Sequence, residues 1–167
     1  MVVLVLTLGL GLSMSCARRK QQPESDVLLG GLTPQTLLQR LPSWKEAFEV
    51  YRPDSAAVEV VRRVNRPVEV LVFLGTWCPD SEREVPRFLK TLAVADNVKV
   101  RAKYYGVPRG FREKDDTAAQ YDIVAVPTFI VRVGEREVDR IVEQAEAGIE
   151  RDLAAILMQA GVVGEGK

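Results

Sequence analysis

The stretch "GTWCPDSEREVPRF", residues 75–88, decides how this chain reads. It follows "VEVLVFL" at 68–74, a run nearly continuous in Val, Leu and Phe, as expected of a central strand buried on both faces. After Cys78 the pattern changes. "DSEREVPRFLKTLAVA" places Val85, Phe88, Leu89 and Leu92 on one face of an amphipathic helix, with Pro86 inside it as an expected kink. Trp77 and Cys78 therefore sit where a buried strand turns into a helix. A cysteine at a helix N-terminus faces unpaired backbone N–H groups and the positive end of the helix dipole, and both favour the thiolate. Pro79 suits the first helical turn, where no N–H is needed. Three residues after Cys78, at the spacing of a redox pair, stands Ser81.

Outward from this stretch the chain alternates elements. "VKVRAKYYGV" at 98–107 has period two and predicts a strand. "KDDTAAQYDI" predicts a short helix capped by Asp115 or Asp116, and "RGFREKDD" before it a solvated loop that could border the site and influence partner choice. "AVPTFIVRVGEREVDRIVE" predicts two strands joined at "GE" as a hairpin. A terminal helix is expected from Glu146 to Ala160, closed by Gly161. Upstream, Thr33-Pro34 starts a short helix that ends at Pro42. Ser43 with Glu46 predicts a capping box for a second helix, carrying Trp44, Phe48 and Tyr51 on its core face. Asp54 or Ser55 caps a third, "AAVEVVRRV", with Ala57, Val60, Val61 and Val64 at helical spacing. The strand–helix–strand unit predicts two parallel strands and the final hairpin an antiparallel pair. The expected fold class is α/β, a central mixed sheet with helices on both faces.

Composition removes several function classes. The 167 residues suit one domain plus a short extension. Lys+Arg and Asp+Glu balance at 23 each, which argues against a nucleic-acid binder. There are no histidines and only two cysteines, so no Cys/His zinc site and no Ser-His-Asp or Cys-His arrangement is available. No metal or cofactor is expected.

The N-terminus reads as a targeting segment. "VVLVLTLGLGL" at 2–12 is short of the roughly 20 apolar residues a spanning helix needs but suits a signal-peptide core. "SMSC", ending in Cys16, resembles the lipobox of bacterial lipoproteins, although Ser13 replaces the usual leucine and the n-region carries no Lys or Arg. That resemblance implies a lipid on the Cys16 sulfur and attachment to a membrane; the alternative is a plain signal peptide or an uncleaved anchor. The expected organisation is a signal segment at 1–16, a flexible Gly-rich tether at 17–31, a helical extension at 32–54, the main domain at 55–161 and a tail at 162–167.

The element order together with "WCPDS" resembles the thioredoxin fold over roughly residues 55–160. Position 81 is where that family has its second cysteine, Pro86 matches its helix-kinking proline, "YDIVAVPTF" at 121–129 resembles its cis-proline segment, and Gly134 matches the hairpin turn. "WCPDS" followed by "EREVPRF" looks most like envelope thioredoxin-like proteins of bacteria, which implies a periplasmic or cell-envelope location. The resemblance implies Cys78 as nucleophile with Ser81 in the resolving position. Trp77, Pro79, Asp80, Val126, Pro127 and Thr128 would form the substrate-binding surface, and the cis-proline would leave the Val126 backbone free to pair with an extended chain. Two departures stand out. Ser81 cannot resolve a mixed disulfide, because a hydroxyl is too weak an acid. Val72 stands where the family has a buried aspartate. Asp80 has two readings, a helix-capping role and proton handling beside Cys78. The function implied is mixed-disulfide exchange or isomerisation through one cysteine, with protein thiols or disulfides and an external thiol as partners. The alternative is a non-catalytic polypeptide-binding module. A one-cysteine peroxidase is disfavoured, since no activating Arg pattern surrounds residue 78.

Overall fold

The computed structural model describes residues 27–164; the predicted signal segment, Cys16 and most of the predicted tether lie outside them. The elements are β1 (Gly30–Leu32), α1 (Pro34–Arg40), α2 (Pro42–Val50), α3 (Ser55–Arg62), β2 (Val68–Leu74), α4 (Pro79–Ala95), β3 (Val100–Gly106), α5 (Phe111–Lys114), α6 (Asp116–Gln120), β4 (Thr128–Val133), β5 (Arg136–Val142) and α7 (Ile149–Gln159). They build a thioredoxin fold: one five-stranded sheet in the order β1-β3-β2-β4-β5, flanked by helices. β2 and β3 run parallel across α4, with Val68 opposite Val100 and Leu74 opposite Gly106. β4 and β5 form the expected antiparallel hairpin.

The alternation of β2 divides the core. Val70, Val72 and Leu74 face a large cluster with Trp44 of α2, Val58 and Val61 of α3, Val85 and Phe88 of α4, and Leu153 and Leu157 of α7. Leu71 and Phe73 face a smaller cluster with Cys78, Val107, Phe111, Ile123, Val126 and Ile130. Both faces carry helices, but unequally. Every long helix lies over the first face, and only short α5 and α6 lie over the second. The thiol belongs to this second, lightly covered face.

Several local expectations change. Residues 30–32, expected at the end of a tether, pair antiparallel with β3, Gly30 opposite Gly106. The close backbone approach is made by Gly106 of β3. A Cβ on Gly106 would stand 2.2 Å from the Leu28 carbonyl oxygen. The Ser43 capping box does not form. Pro42 takes the first helical position, so Ser43 is already inside α2 and Leu41 occupies the cap with no side-chain bond. Thr33 and Asp54 cap α1 and α3 as expected, accepting from the Thr36 and Ala57 amides. "RGFREKDD" is no plain loop: Phe111 is buried and nucleates the single turn of α5. Asp115 caps α6. α7 begins at Ile149, because Gly148 has φ of 115° and interrupts the helix before it. Residues 162–164 are docked rather than trailing. Val163 bridges Val64, and the Gly164 amide donates to the Arg63 carbonyl at 2.9 Å.

The extension at 32–54 is integral to the core through Trp44, which is 1% exposed. It is also tied to α7. The Tyr51 hydroxyl donates to buried Glu150 at 2.8 Å, and the second Glu150 oxygen accepts from the Asp54 amide at 3.1 Å. Among the described residues no helix is long and apolar enough to cross a membrane.

Candidate functional site

Cys78 is the N-cap of α4, in extended conformation, with Pro79 at the first helical position. Its amide donates to Gly75 O at 2.8 Å, and its carbonyl accepts the Glu82 amide at 3.0 Å. Its side chain caps nothing in the helix. Instead Sγ lies 3.1 Å from the carbonyl oxygen of Val126, toward which the thiol donates. The Val126–Pro127 bond is cis. The sulfur is nearly covered, since Cys78 is 8% exposed.

The loop before the thiol is fixed at three points. The Gly75 amide donates to Ser81 Oγ at 3.1 Å. The Trp77 indole N–H donates to the Val107 carbonyl at 3.0 Å. The Leu28 amide donates to Thr76 Oγ1 at 3.2 Å, which ties the segment entering β1 to the motif. Gly75 is required sterically, because a Cβ there would stand 2.7 Å from Trp77 Cε2.

The residues singled out in the sequence are brought together, with duties more specific than expected. Ser81 is fully buried, and its hydroxyl is engaged by the Gly75 amide. Asp80 Oδ1 accepts from Arg83 Nη2 at 2.9 Å and from Gln144 Nε2 at 3.2 Å, so its charge is matched within its own helix. Arg83 also donates Nε to Glu84 Oε1 at 2.7 Å. The hydrogen bond to Glu84, then that to Asp80, raises the Arg83 guanidinium above its ordinary value. Glu84 itself is buried, with its second oxygen unpartnered among the described residues. Thr128 donates its hydroxyl to Ala125 O at 2.8 Å and closes the turn around the cis bond. The Val126 carbonyl, expected to be open to a bound chain, faces the thiol instead, and Val126 and Pro127 are buried. In the segment leading to the cis bond, Val124 is 58% exposed and Ala125 half-buried. Val72 lies in the large core cluster, so no carboxylate rises from β2 beneath the thiol.

Sequence reasoning missed Thr76, Arg83 and Gln144, and it reached Arg109 only as part of "RGFREKDD", the loop expected to border the site. The Arg109 guanidinium carbon lies 4.9 Å from the centre of the Trp77 ring. None of these positions carries a pattern signal; tertiary approach alone assigns them. No group of three or more candidate metal ligands occurs among the described residues.

A parallel strand pair joined by a helix, a cysteine at that helix's first turn and a cis-proline against the sulfur define a thioredoxin-fold protein. The family described as thioredoxin matches residues 34–150, most of the chain, and the protein belongs to that family. Among solved structures, a protein of unknown function from Pseudomonas aeruginosa is 20% identical, with 75% of this chain and 84% of that one covered at a TM-score of 0.56. An HIV epitope scaffold is also 20% identical, with 77% and 93% covered at a TM-score of 0.60. These likenesses concern the fold. No curated protein matches the chain.

Proposed function

We propose that this protein exchanges disulfides through Cys78 alone. The observation that carries the reading is the position of Sγ at the cap of α4, 3.1 Å from the carbonyl that precedes the cis-proline. The Val126 contact holds the resting thiol. A client disulfide arriving along Val124 and Ala125 displaces it, and the thiol proton passes to solvent. The Cys78 thiolate then attacks one client sulfur. The client S–S bond breaks, a Cys78–client disulfide forms, and the other client sulfur leaves as thiolate. Ser81 cannot reverse this step, because its hydroxyl is engaged by Gly75 and is no nucleophile at neutral pH. An external thiolate attacks the adduct and frees Cys78, leaving the client disulfide-linked to the external thiol; attack by a second client thiolate instead frees Cys78 and leaves the client isomerised. The reading includes export to the periplasm or cell envelope, on the apolar run at 2–12, and membrane attachment through Cys16, both outside the described residues.

The test is a single-turnover reaction. Native protein mixed with a small aromatic disulfide should release a stoichiometric burst of aromatic thiol that Cys78→Ser lacks. A thiol silent in the native state but reactive after unfolding would overturn the proposal. The near-complete burial of Cys78 favours, in that event, a polypeptide-binding module with an inert cysteine.

A further inference from the structure

Arg109 stands over the indole of Trp77, the residue directly before the thiol. Its place is set from both sides. On one side Val107 is fully buried, its amide donating to Leu74 O at 2.9 Å and its carbonyl accepting the Trp77 indole N–H. On the other, Gly110 turns the chain with φ of 71° and Phe111 is buried in the same cluster as Cys78. Arg109 is therefore presented from a span held at both ends, while its own side chain is exposed.

Several arginines elsewhere in the fold are held in ion pairs. Arg83 is matched by Asp80 and Glu84, Arg140 by Glu137, and Arg151 by Asp54. Arg109 has no carboxylate partner among the described residues; its contact is the ring face. Across the motif, the carboxylate of Asp80 is already matched by Arg83 and Gln144. Among the described residues, Arg109 therefore brings a positive charge without a carboxylate partner to the Trp77 side of the motif. A stacked guanidinium keeps its N–H edges available and can bind a carboxylate through two of them.

We infer that Arg109 is a specificity-determining residue that selects disulfide partners bearing a carboxylate close to the reacting sulfur. The inference rests on thiol exchange at Cys78 and names the substrate class for that reaction. The carboxylate fits the disulfide of a small acidic thiol, or an Asp or Glu beside a disulfide-bonded client cysteine. In either case Cys78 forms the new S–S bond, the partner's S–S bond breaks, and the departing sulfur leaves as thiolate. Arg109 only places the carboxylate-bearing half.

The test compares rates of adduct formation at Cys78 in the full chain, each corrected by subtracting the Cys78→Ser rate. The probes are 5,5′-dithiobis(2-nitrobenzoate), which is anionic, 4,4′-dithiodipyridine, which is neutral, and cystamine, which is cationic. The ratio of anionic to neutral rate should fall about 3- to 10-fold in Arg109→Gln, recover in part in Arg109→Lys, and shrink with added salt in the wild type. An unchanged neutral-probe rate shows that Trp77 and the thiol remain in place. Oxidised glutathione and a cystine peptide with flanking aspartates separate the two sources. A loss confined to one assigns the carboxylate to that source, and loss with both assigns it to either. An Arg109→Gln ratio equal to the wild type overturns the inference and leaves thiol exchange standing. Silence toward every probe in the native state overturns thiol exchange and the inference with it.

Discussion

Ser81 shows how one residue type carries two meanings. In the sequence it is the missing resolving thiol; in the fold it is the acceptor that holds the Gly75 amide inside a buried loop. Ser81→Ala leaves that amide unsatisfied and should cost about 1–3 kcal/mol, read as a shift in the denaturation midpoint, with Cys78 still able to form an adduct. Ser81→Cys replaces the hydroxyl by a nucleophile and should clear the adduct without added thiol, giving insulin reduction with a dithiol donor that the wild type lacks. Val72 keeps that activity modest, since β2 supplies no proton acceptor. Trp77 and Cys78 are placed by the strand and helix patterns around them, and Val126 and Pro127 are named through the resemblance of "YDIVAVPTF" to the family's cis-proline segment. Arg83 was not legible, and Arg109 only as part of a loop expected to border the site, because a charged residue on a polar face gives no pattern until its neighbour is known. Asp80 accepts from Arg83 and Gln144 and caps no backbone amide of α4 among the described residues.

At the scale of elements, β2 was legible from its continuous apolar run, α4 and α7 from helical periodicity, and the hairpin from two strand-like runs joined at the Gly134 turn. β1 was not. Three residues containing two glycines carry no hydrophobic period, and their pairing depends on the bare Cα of Gly106 on another strand. Gly106→Ala would drive a methyl into the Leu28 carbonyl and should destabilise the protein by about 1–3 kcal/mol. Because Leu28 also donates to Thr76, faster amide exchange should appear in the 28–32 segment and in the loop before Cys78 together. Exchange changes confined to β1 would show that strand and motif are uncoupled. α5 escaped notice for a similar reason. One buried aromatic, Phe111, anchors a turn too short to show a period.

Across the whole molecule, ionisable groups set a pH window for stability. The Ala57 amide, then Arg151, holds the Asp54 carboxyl below its ordinary value of 3.8, so its contribution is present above that pH and is lost as pH falls below it. Burial raises the Tyr104 phenol above its ordinary 10.0, so the unfolded chain ionises first and stability falls as pH rises past that value. Denaturation midpoints should form a plateau between these limits. Asp54→Asn should flatten the acid limb, and Tyr104→Phe the alkaline one. At the N-terminus, Cys16→Ser expressed in a Gram-negative host should abolish lipid labelling and membrane attachment; retention of both would exclude the lipoprotein reading. The central claim is that one sulfur captures a client and cannot release it unaided. Intact-mass measurement of the native chain over time, after brief exposure to a cystine peptide and removal of the excess, tests this most directly. The account predicts a Cys78-linked adduct that persists until glutathione is added and then disappears. An adduct that decays at the same rate without any added thiol, or that never forms unless the protein is unfolded, would contradict it.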